Sequence, residues 1–139
     1  SFEDNTTIER GRFVSLFTNK NGSIVVKPFE YEGNLNLFMN PVSVYGVALE
    51  DTKDKKDGKI RVCIEGVTTV QYCLDHSLID DNLMGLNYVK KCNSIGLLSK
   101  NGTVFCSPIK PVTDYIKVGY FIEKKEFNDD NLVLFNVKI

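Results

Sequence analysis

Two Asn-Gly dipeptides, Asn21-Gly22 and Asn101-Gly102, cut runs of β-forming residues into pairs that can fold back on themselves. Asn and Gly accept the positive φ that a type I′ turn requires, so each dipeptide predicts a β-hairpin. The first separates Arg12 to Thr18 from Ser23 to Phe29, and the second separates Ile95 to Ser99 from Thr103 to Cys106. A polar turn at Lys55 to Gly58 joins Val44 to Leu49 with Lys59 to Glu65. Another at Asn128 to Asn131 joins Ile116 to Glu123 with Leu132 to Ile139. At least four hairpins follow.

The flanking runs are rich in Val, Ile, Phe and Tyr, and several alternate. Ile60, Val62 and Ile64 are expected on one face, with Arg61, Cys63 and Glu65 on the other, the period of a half-buried strand. Ser77 to Lys91 is the only helix candidate. Gly85 and the Asp80-Asp81-Asn82 cluster limit it to a loop with at most one short helix. Two segments resemble each other: Val44 to Glu50 and Lys117 to Glu123 each carry a central Gly, then a charged turn, then an apolar return strand. If the likeness is more than shared β composition, Gly46 and Gly119 mark equivalent bends or close backbone approaches, which favours a barrel over an open sandwich. The expected fold is all-β, a small antiparallel β-barrel or barrel-like sandwich built from hairpins.

A chain of 139 residues suits one domain and buries roughly two thirds of its unfolded surface without a metal or disulfide staple. We expect an N-terminal arm over 1–10 and a single barrel domain over 11–139. Residues Ser1 to Glu9 are polar apart from Phe2 and Ile8, so they read either as an assembly arm reaching a neighbour or as a frayed terminus. Ser1 in place of Met leaves open a removed leader or precursor. Seventeen Lys and Arg scattered among eighteen Asp and Glu make no basic stripe, so no nucleic-acid partner is expected. No apolar run approaches the roughly 20 residues of a membrane helix, and no membrane partner is expected.

Chemistry-bearing patterns are sparse. Cys73 and His76 have the spacing of two zinc ligands, with Cys92 and Cys106 as conceivable partners, yet the remaining spacing matches no common zinc module. Asp75, Asp80 and Asp81 lack the ordered spacing of a calcium loop. Phosphate-loop, dinucleotide, nucleophile-elbow and zinc-protease motifs are missing from the sequence. We expect no enzyme, no catalytic residue, no cofactor and no metal. Most of the four cysteines read as free thiols, Cys63 and Cys106 behaving as small hydrophobes within strands. Asn5, Asn21 and Asn101 head Asn-x-Ser/Thr sequons, whose use depends on an export route. Tyr31, Phe38, Tyr88 and Tyr115 are candidate ligand-facing aromatics for stacking on a sugar, or else core residues.

The order of Pro41 to Gly46, Val47 to Asp51, a Lys/Asp/Gly turn and Ile60 to Val67 resembles small β-barrel domains of viral particles, found in head-decoration, capsid-associated and fibre proteins. Ile116 to Glu123 with the terminal Leu132 to Val137 looks like the second half of such a domain. The likeness spans roughly Pro41 to Ile139, while Asp80 to Cys92 and Phe2 to Tyr31 have no assigned counterpart. It implies a virion location and a structural role without catalytic residues. The implied partners are other virion proteins, capsid or fibre shaft, and further copies of the chain, a trimer being favoured. A carbohydrate- or receptor-binding β module is the alternative. A self-processing fibre protease domain is the third reading, although no residue here maps onto a cleavage motif.

Overall fold

A computed structural model describes residues 1–31, 43–53, 55–73, 94–106, 115–122 and 132–139. These residues form strands and no helix: β1 (Phe13–Thr18), β2 (Ile24–Pro28), β3 (Gly46–Ala48), β4 (Val62–Cys63), β5 (Glu65–Gln71), β6 (Ile95–Leu98), β7 (Val104–Cys106), β8 (Lys117–Phe121) and β9 (Leu132–Lys138). The chain is therefore all-β, as its turn pattern predicts. The helix candidate Ser77 to Lys91 lies outside the described residues.

Each of the four expected hairpins is formed: β1 with β2, β3 with β4, β6 with β7, and β8 with β9. The turn type at the two Asn-Gly tips differs from expectation. Gly22 and Gly102 have φ of 81° and 85°, but Asn5 is the only described non-glycine residue with positive φ, so neither Asn adopts the conformation a type I′ turn demands. In the first tip the Gly22 N–H donates to the Asn19 carbonyl and the Asn19 N–H to the Ser23 carbonyl. In the second, Gly102 donates to Ser99 and Ser99 to Thr103. Both are three-residue tips, in which an ordinary turn is followed by a left-handed glycine that realigns the strands. Gly supplies the positive φ alone.

Among the described residues nine strands make two antiparallel sheets, a four-stranded one ordered β2-β1-β3-β4 and a five-stranded one ordered β5-β9-β8-β6-β7. The chain passes between them at Ile64, the single residue between β4 and β5. This corner overturns one expectation. Val62 packs on the same side as Ile60, but Ile64 is 55 % exposed, because the bend breaks the alternation where the strand changes sheet. The five-stranded sheet curls until its edges meet, through a parallel bridge between Tyr72 and Val104 and a bond from the Cys73 N–H to the Val104 carbonyl. The four-stranded sheet is tied to the β6–β7 tip by Phe13 N–H to the Gly102 carbonyl (2.9 Å) and Tyr31 N–H to the Lys100 carbonyl (2.8 Å). Closure of this kind removes free edges.

Edge-to-face rings dominate the interior. Phe135 stands perpendicular to Phe121 (5.0 Å between centroids) and to Phe13 (6.4 Å), while Tyr72 meets Phe121 at 6.0 Å. Phe135 lies over two paired glycines, Gly96 of β6 and Gly119 of β8; a methyl group on either would collide with its ring. Gly119 also has φ of 151° and presses on the Asn136 carbonyl of β9. The ladder slips here, Gly96 pairing with Gly119 but Leu97 with Lys117, so Val118 is the extra residue of a bulge and turns inward to full burial. Gly46 approaches the Cys63 carbonyl of β4 in the same manner. The two glycines that head the similar segments are thus both close backbone approaches to their return strand.

Candidate functional site

Residues 1–10 lie along the outer face of the four-stranded sheet. Register places Val14, Val26, Ala48 and Val62 on that face, away from the aromatic core. Ile8, 2 % exposed, fills the centre of this second apolar cluster, and Phe2 packs at its margin. Polar contacts hold the segment at both ends. The Ser1 carbonyl accepts from the Val26 N–H of β2, and the Phe2 N–H donates to the Gly58 carbonyl, each at 2.8 Å. Thr52 clamps the middle: its Oγ1 accepts from the Ile8 N–H and donates to the Thr6 carbonyl, both at 3.0 Å, and its N–H donates to the Ile8 carbonyl.

The exit from this strap is fastened to the other sheet. Gly11, φ 89°, donates to the Ala48 carbonyl and accepts from the Gln71 N–H of β5. The Gln71 side chain donates to Glu9 and the Arg10 carbonyl and accepts from Arg12, which also pairs with Glu9 at 3.3 Å. Residues 1–10 are accordingly part of the folded unit and do not project from it as an arm. Phe2 and Ile8, the apolar residues of a segment that reads from sequence as an assembly arm or a frayed terminus, cover the chain's own sheet, because an apolar face on β1 to β4 would otherwise meet water.

The five-stranded sheet presents a different outer face. Across it run two neighbouring rows, Val67 with Asn136 and Tyr120, then Thr69 with Leu134, against which Ile122 follows by donating its N–H to the Leu134 carbonyl. Val67, Leu134 and Ile122 are 63 %, 45 % and 49 % exposed. Lys117 lies over the Tyr120 ring, 4.3 Å from its centroid, and donates to the phenol oxygen. That hydrogen bond and the ammonium charge hold the Tyr120 phenol below its ordinary pKa. The face therefore combines outward aliphatic side chains with a cation-aromatic pair. Alternation alone could mark these residues as lying on one face, but which face is covered depends on sheet packing.

Of the candidate aromatics, Tyr115 is 5 % exposed and stacks edge-to-face on Phe105 at 5.0 Å, so its ring is a core element. Tyr31 is half-buried and packs against the same core. Phe38 and Tyr88 lie outside the described residues, as do His76, Cys92, Asp75, Asp80 and Asp81. Cys73 and Cys106 are buried and Cys63 is partly buried, its Sγ 3.3 Å from the Glu65 carbonyl. Among the described residues no three His, Cys, Asp or Glu are grouped to hold a metal ion.

Two open clefts border the strap. One, of about 350 Å³, is lined by Glu9, Arg10, Asp51, Lys53, Gln71 and Leu132; Asp51 accepts there from the Arg10 N–H. The other, of about 860 Å³, lies between the strap and the β1–β2 tip. There the Asn19 Oδ1 and one Asp57 carboxylate oxygen accept from turn N–H groups, and Lys27 sits 5.0 Å from the centroid of the Phe17 ring. Beside the β3–β4 hairpin, Glu50 accepts from the Arg61 N–H and pairs with Lys55 (3.0 Å) and Arg61 (3.1 Å). The backbone bond and then the Lys55 contact lower its pKa to about 2. No protein-family model matches this chain, and neither a curated protein nor a solved structure matches it.

Proposed function

We propose that this chain is a non-enzymatic structural domain of a virus particle, a capsid-associated decoration or fibre domain that acts through protein–protein contacts. The resemblance in its glycine-bearing strands and hairpins motivates the reading, and the outward aliphatic side chains of Val67, Leu134 and Ile122 on neighbouring rows support it. Aliphatic side chains clustered on a sheet face cost solvation free energy until another surface covers them. A domain of this kind gathers affinity from repeated contacts, since linked copies bind a lattice at high effective concentration once the first has docked. Closed symmetric association supplies such copies, and a trimer follows from the resemblance.

Co-purification of the native protein with assembled particles tests the proposal directly. Val67→Glu with Leu134→Lys should abolish attachment while leaving the melting temperature close to that of the parent, since both side chains already face water. A protein that binds no particle and remains monomeric defeats it. Glycan-array binding lost on Tyr88→Ala would favour the carbohydrate-binding module instead.

A further inference from the structure

The two Asn-Gly dipeptides are chemically alike and structurally opposite, and from this difference we propose that Asn21 is a site of spontaneous self-modification to aspartate and isoaspartate, while Asn101 is protected. In the reaction the Gly22 backbone nitrogen attacks the Asn21 side-chain carbonyl carbon. A new N–C bond closes a five-membered imide, and the side-chain nitrogen leaves as ammonia, carrying the proton lost from Gly22. Water then adds to either imide carbonyl and breaks one ring N–C bond. Opening one way yields aspartate, and the other way yields isoaspartate, in which the backbone runs through the former side chain. The net change is amide plus water to carboxylate plus ammonium, with no oxidant or reductant.

Glycine suits the attack because no Cβ shields its nitrogen. At the first tip every residue from Lys20 to Ser23 is exposed, and a methyl group added to Gly22 would meet nothing within 4 Å. The Asn21 side chain has no hydrogen-bond partner among the described residues; the turn is held by the Asn19 amide, which accepts from the Asn21 and Ser23 N–H groups. Only the Gly22 N–H bond to Asn19, 3.0 Å, must open to free the nucleophile. At the second tip the Asn101 Oδ1 accepts from Ser99 Oγ and from both Thr103 N–H and Oγ1, which fixes the amide the reaction needs to rotate. Gly102 is buried against the Phe13 and Phe29 carbonyls, and its neighbourhood is bonded to Phe13 and Tyr31. Opening there requires parting two sheets.

The product adds one negative charge to a chain whose formal net charge is −1, at the rim of the cleft that Asp4 and Asp57 also line. The test holds the folded full-length chain at mildly alkaline pH, then maps peptides by mass and by isoaspartate-specific enzymatic methylation. Conversion at Asn21 should run at least about tenfold faster than at Asn101, because the second tip opens only with its docking contacts. In urea both sites should convert at similar rates. Equal rates in the folded chain, no conversion at Asn21, or a bias that persists in urea would each overturn the assignment.

Discussion

Replacing Thr52 by Val tests whether the strap is part of the fold. The side chains are nearly isosteric, and Thr52 is 7 % exposed, so packing is almost conserved. The hydroxyl, however, satisfies the Ile8 N–H and the Thr6 carbonyl at 3.0 Å each. The Ile8 bond is buried, and leaving its N–H without an acceptor costs about 1–3 kcal/mol. At about 2 cal/mol/K of unfolding entropy per residue, a chain of this length loses about 3 °C of Tm for each kcal/mol. The expected fall is about 3–10 °C by far-ultraviolet circular dichroism, with a matching drop in urea midpoint and faster tryptic cleavage at Arg10. Thr52→Ser keeps the hydroxyl and should retain most of the stability. A Thr52→Val protein with unchanged Tm and an uncleaved strap would refute the reasoning, since the clamp would then contribute nothing to holding residues 1–10.

Ile8→Ala empties the centre of the second apolar cluster and should cost about 2–5 kcal/mol in denaturant titration; deletion of residues 1–10 should lower Tm further, whereas an unattached arm would leave it unchanged. Gly96→Ala strikes the Phe135 ring and should destabilise by more than about 3 kcal/mol, with partial recovery in combination with Phe135→Leu. Gly119→Ala meets the Asn136 backbone carbonyl and a positive φ, so the same second change should not recover it; equal rescue of both would disprove this distinction. Glu50 is held at a folded pKa of about 2 against an ordinary 4.5, so its contribution to stability is complete above pH 4.5 and disappears as pH falls towards 2. Glu50→Gln should therefore remove part of the acid-side slope of Tm between these values and leave the slope above pH 6 unaltered. Because Glu50 is only partly buried and its Arg61 partner is exposed, the change is small and diminishes with salt.

Much of the fold is written locally. The Asn-Gly tips, the polar turns and the alternating Val, Ile, Phe and Tyr positions predict the four hairpins that form, because a hairpin needs only neighbours in sequence and a residue that tolerates positive φ. Gly46 and Gly119 were legible as close approaches for a similar reason: a glycine inside a β-run has few other uses. The candidate interaction face was legible only as a period of two. Val67 and Val70 are both β-formers in one strand, yet one is 63 % exposed and the other fully buried, a difference fixed by which side of β5 meets the aromatic core. Tertiary structure also decided the fates of Ile64, exposed at the corner between sheets, and of Ile8, buried although its segment is polar. The two Asn-Gly tips make the division plainest. Dihedral preference fixed a turn at each, but long-range bonds to Phe13 and Tyr31 alone distinguish the docked tip from the free one, and no pattern within the dipeptide encodes contacts some seventy residues away or more.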